Sequence, residues 1–125
     1  MPLHTASFYD PQDWVGQPFR ISRGHPRGRR VQWDTLPFFY PERELVRAYR
    51  GGEIDFEDYT PIYLDSLERR YASSEPMRQW MHEDSPKLED VTLLCFERFD
   101  APCHRRLLAG WLTGKCPELQ LGWIR

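Results

Sequence analysis

From Cys95 to Arg105 the chain reads Cys-Phe-Glu-Arg-Phe-Asp-Ala-Pro-Cys-His-Arg, and Arg106 follows. Thiols, an imidazole, carboxylates and guanidiniums thus fall within a dozen positions. A thiol near a helix N-terminus or an arginine has a lowered pKa and becomes a nucleophile near neutral pH. Cys95 is a candidate nucleophile in that sense, with packing at a strand end as its other reading. The phosphatase pattern of cysteine, five residues and arginine is absent, because Ala101 stands six places after Cys95. Glu97 can serve as a general base or orient an arginine, or form an ordinary loop ion pair with Arg98. His104 and His25 are the histidines placed to shuttle a proton. Cys95, Cys103 and His104 do not have zinc-knuckle spacing, and a structural zinc site wants four ligands. Neither a metal nor a cofactor is expected.

The elements around this segment give it meaning. Val91 to Phe96 is an uncharged run, as in a strand buried on both faces of a parallel sheet. Pro102 and Cys103 open a helix with Leu107, Leu108, Trp111 and Leu112 on one side and Gly114 at its end. Leu119 to Ile124 reads as a returning strand. Strand, loop and helix in this order place ligands at the carboxyl end of the strand. The first N–H groups of the helix lack intrahelical partners and carry the positive end of its dipole. His104, Arg105 and Arg106 add positive charge at the same place. An anion such as phosphate would compensate, and Asp100 as an internal cap would do so too. The expected pocket therefore lies between the strand end 91–97 and the helix start 103–106.

Upstream, Leu3 to Tyr9 reads as a first strand and Pro18 to Arg23 as a second. A long loop rich in Pro, Gly, Arg and aromatics is expected over 24–41. Five arginines and no acid lie between Phe19 and Arg30. Ser22 and Arg23 end the second strand, so in a parallel sheet their loop lies beside the one after Cys95. Trp33, Phe38 and Phe39 either close the pocket, stack on a base, or simply cover the sheet. Helices are expected over Glu42–Arg50, from an N-cap at Asp55 with Asp58 as its partner, and over Glu75–His82. The second of these should bury Tyr59, Ile62, Tyr63 and Leu67. Met77, Trp80 and Met81 repeat at helical spacing and read as core.

With 125 residues, 40% of them hydrophobic, the chain suits one ordered domain with a real core. The expected fold is α/β: a single small domain over 1–125 with a central, mostly parallel sheet and flanking helices. Net charge is −2, so no global attraction to polyanions is expected. Arginine outnumbers lysine fifteen to two. That bias suits phosphate or carboxylate, or reflects arginine-rich codon usage. No stretch approaches the ~18 apolar residues of a membrane span, and Met-Pro-Leu-His lacks the features of a signal peptide. A cytoplasmic protein away from membranes is expected, its three cysteines reduced.

Several segments resemble the bacterial and archaeal family designated domain of unknown function 488. They are Thr5-Ala-Ser-Phe-Tyr9, Ile21-Ser-Arg-Gly-His-Pro26, Tyr49 with the Tyr59 to Tyr63 block, and Leu93-Leu-Cys-Phe-Glu97 followed by Cys103-His-Arg-Arg-Leu-Leu108. The last pair is the most specific. The resemblance implies a compact α/β fold that brings Ser22, Arg23, Cys95, Glu97, Cys103, His104 and Arg105 to one site, and links some members to nucleic-acid or defence systems. Cys95, Glu97 and His104 are then expected to carry chemistry. Ser22, Arg23, Cys103, Arg105 and Arg106 are expected to hold an anion. Three functions fit: a small enzyme on a phosphate-bearing or nucleotide substrate, a non-catalytic nucleotide or nucleic-acid binder, and a protein-interaction domain using the 24–41 loop.

Overall fold

The computed structural model describes residues 2–8, 14–24, 28, 32–95 and 104–124. Its five strands are β1 (Pro2–Ser7), β2 (Gln17–Arg20), β3 (Asp34–Thr35), β4 (Val91–Cys95) and β5 (Gln120–Ile124). The helices are α1 (Arg43–Arg50), α2 (Phe56–Ser73), α3 (Glu75–Gln79) and α4 (His104–Lys115). The strands form one sheet in the order β3-β2-β4-β1-β5. Every pairing in it is parallel, so the expected mostly parallel sheet is wholly parallel among the described strands.

All of β4 is buried, as its uncharged run demands. β4 runs between β1 and β2, with Ser7 opposite Cys95 and Arg20 opposite Leu94. The ladders run one residue further, through Phe8 N–H to Cys95 C=O and Ile21 N–H to Leu94 C=O, both 3.0 Å. The carboxyl ends of three strands therefore finish level.

Alternation divides the side chains between the two faces. Leu3, Phe19, Ile21, Val91, Leu93 and Cys95 join the main core with the buried sides of α2, α3 and α4. Ala6, Phe8 and Leu94 form a smaller cluster with Trp33, against which Trp14 packs. Phe39 is fully buried and meets Trp80 edge-on, with centroids 5.5 Å apart. Trp33 and Phe39 therefore cover the sheet, and neither is presented for base stacking.

Asp55 and Asp58 form a reciprocal capping box at the start of α2, which fixes where that helix begins. Tyr59, Tyr63 and Leu67 are buried as expected, but Ile62 is 48% exposed. Position 62 lies about 100° around the helix from the centre of the stripe that 59, 63 and 67 define, so it points away from the core. Ser74 caps α3 by accepting from Met77 N–H, and Met77, Trp80 and Met81 are core residues. The chain then widens into a π-helical turn over Trp80–Asp84. Within 24–41 the described residues form β3 and a short 3-10 turn at Pro37–Phe39, which interrupt the expected long loop.

Candidate site at the carboxyl edge of the sheet

α4 begins at His104 above the ends of β2 and β4, so its first residues face the strand termini. His104 is buried, and its Nε2 lies 2.9 Å from the Ile21 carbonyl. A carbonyl only accepts, so Nε2 carries the proton. The ring meets Tyr63 edge-on, with centroids 5.5 Å apart. Burial pushes the imidazole down to about 4, against the Ile21 bond, and Arg105 and Arg50 add repulsion. His104 is therefore neutral near pH 7. It adds no positive charge to the helix start, and it is a poor proton shuttle there.

Arg105 is fully buried, among the largest side chains of the described residues to be so. Its Nη1 donates to Cys95 Sγ at 3.0 Å. Cys95 is itself 1% exposed and disulfide-bonded. The expectation of three reduced thiols is therefore corrected for Cys95: oxidised, its sulfur is no nucleophile. It carries no charge either, so it is only a weak acceptor for a guanidinium. The contact with Cys95 is not the only interaction that Arg105 makes.

Arg106, next along, has a buried Nε with no hydrogen-bond partner among the described residues, as does Arg20 at the end of β2. Ser22 is 6% exposed, and its hydroxyl donates to the Gly24 carbonyl at 3.0 Å. Arg23 is exposed; its Nε donates to Pro41 C=O at 3.3 Å and its guanidinium lies 5.8 Å from the Tyr40 ring centre. It is turned toward that segment, whereas Arg105 is turned toward Cys95. Glu97, Cys103 and His25 lie outside the described residues.

The structure thus brings Cys95, His104 and Arg105 together with the end of β2. Two neighbours of this group, Tyr63 and Arg50, were not recognised from the sequence. Tyr63 was legible only as core, although its hydroxyl donates to Phe39 C=O at 2.8 Å and burial holds it well above the usual phenol range. Arg50 was hidden in α1, from which it repels the His104 imidazolium. The remaining cysteine, Cys116, is free and buried. Burial, with Glu118 nearby, pushes its thiol up to about 11, so it is a poor nucleophile.

A family model described as the active DUF488-N3 subclade matches residues 3–115. The chain belongs to this family. The match runs from β1 to the end of α4 and so includes the whole carboxyl edge described above. No curated protein and no solved structure matches the chain. Among the described residues, no helix is long and apolar enough to cross a membrane.

Proposed function

We propose that the carboxyl edge of the sheet is an anion pocket, and that the chain acts on a phosphate-bearing small molecule or nucleic acid. The supporting observation is Arg106, whose buried Nε has no hydrogen-bond partner among the described residues and stands beside the buried Arg105 in the first turn of a helix, where the backbone is also positive. A phosphate satisfies both at once, and arginine's fork matches it in two directions. Ser22 and Arg23 join the proposed anion-binding set by exchanging their bonds to the Gly24 and Pro41 carbonyls for the anion, and Cys103 is its third member.

Cys95, Glu97 and His104 are the proposed residues for chemistry. Cys95 takes part only after a thiol reductant has opened its disulfide, when Arg105 favours the thiolate. Glu97 holds or accepts the proton. Neutral His104 positions the helix start through Ile21 and Tyr63. The description of the matched subclade as active agrees with an enzymatic role.

The test is titration of the full chain with a nucleoside monophosphate and with a short single-stranded oligonucleotide, at low and moderate salt. Binding should occur and should weaken as salt rises. Arg105→Lys keeps the charge but loses the fork, and should weaken binding about tenfold or more. Arg106→Gln, at a less buried position, should weaken it as well and guards against a misfolded Arg105 variant. Absence of binding by the wild-type chain to either probe defeats the reading.

A further inference from the structure

Away from this edge, three metal-ligating side chains converge where the π turn meets the end of α4. His82, Cys116 and Glu118 each offer one ligand atom, and these atoms all lie within 4.8 Å of one another. We propose that they form a binding site for a zinc-like divalent cation, held by imidazole Nδ1, thiolate and carboxylate.

The geometry is close to what such an ion requires. Zinc–sulfur and zinc–nitrogen bonds of about 2.3 and 2.05 Å at a tetrahedral angle put the two ligand atoms about 3.5 Å apart. Cys116 Sγ and His82 Nδ1 stand 3.8 Å apart. Glu118 and His82 are exposed while Cys116 is buried, so the sulfur is a fixed anchor and the carboxylate can swing in. The fourth position is left for water or a ligand.

Independent features prepare the ring. His82 Nε2 lies 2.7 Å from the Tyr71 hydroxyl, which turns the opposite nitrogen, Nδ1, toward Cys116. A hydrogen bond on the far nitrogen is how proteins orient a metal-binding histidine. His82 also sits inside the π-helical turn Trp80–Asp84. Such a turn inserts a residue, disturbs an otherwise better helix and recurs at functional sites. Two cations lie nearby: Lys115 is paired with Glu68 at 3.0 Å and lies over the Tyr71 and Trp111 rings, and Arg78 donates to the Tyr71 carbonyl at 2.6 Å. Binding exchanges the Cys116 thiol proton for the cation. The family match ends at residue 115, just before two of the three ligands.

The full chain, without reductant so that Cys95 stays bonded, is titrated with Co2+ and competed with Zn2+. One equivalent of Co2+ should bind, with a sulfur-to-cobalt charge-transfer band and the visible absorption of a tetrahedral site. Cys116→Ser should abolish the charge-transfer band. His82→Gln and Glu118→Gln, both at exposed positions, should weaken binding more than tenfold while leaving the circular dichroism of the protein unchanged. Tyr71→Phe should weaken it about tenfold through loss of ring orientation. No binding by the wild-type chain, a charge-transfer band that survives Cys116→Ser, or unchanged affinity in His82→Gln would overturn the site.

Discussion

Three residues where the start of α4 meets the end of β4 behave differently from what their types suggest. His104 is the clearest. Its folded pKa of about 4 lies below the ordinary value of 6.5, so the unfolded chain binds its proton more readily. Stability from this group is complete above the unfolded value and is lost as pH falls from about 6.5 toward 4. The difference is worth on the order of 3 kcal/mol. Denaturant melts between pH 7 and pH 4 should show this loss, and His104→Gln should flatten it. A profile identical in the variant would show that His104 is not buried as described. Cys95 yields a second prediction. In denatured, unreduced protein, iodoacetamide should label Cys116 and should label Cys95 only after reduction, as read by peptide mass spectrometry. The burial of Arg105 could not be read in the sequence, because arginine is ordinarily exposed and only its neighbours in space explain its place. The oxidation of Cys95 was equally hidden: residue types do not report redox state.

The elements were legible where their signals are local. β4 was readable because six uncharged residues in a row have nowhere to go but the middle of a sheet. The start of α2 was readable because Asp55 and Asp58 cap each other across one turn. Removing that box with Asp55→Ala should lower stability by about 1 kcal/mol, seen as a lower melting temperature. An unchanged midpoint would mean that α2 begins elsewhere. The π turn at Trp80–Asp84 left no such signal, since Met77, Trp80 and Met81 fit an ordinary helix equally well. β3 was hidden too: two exposed residues, Asp34 and Thr35, carry no strand pattern and are held by pairing with Phe19 and Arg20. Gly16, at φ +72°, was not recognised as structural, yet a Cβ there would collide with the Asp90 backbone where β2 enters the sheet. Gly16→Ala should therefore destabilise the β2–β4 junction, with earlier amide exchange at Gln17 as the readout; unchanged exchange would remove Gly16 from that role.

On the scale of the whole molecule, the net charge is −2, yet two guanidiniums, Arg105 and Arg106, stand side by side at the start of α4. The order β3-β2-β4-β1-β5 decides what they face. It seats β4 between β1 and β2, so Ile21, Cys95 and the start of α4 meet although they are distant in sequence. The class of the fold was legible from a buried strand followed by a helix. The strand order was not, because it depends on which faces pack and no local pattern encodes it. The most direct test of the anion pocket is a crystal structure of the chain grown with a nucleoside monophosphate. The phosphate should lie over the first turn of α4, within hydrogen-bond reach of the Arg105 guanidinium. A carboxylate of the chain itself paired with Arg105, with the nucleotide elsewhere or not bound, would contradict it.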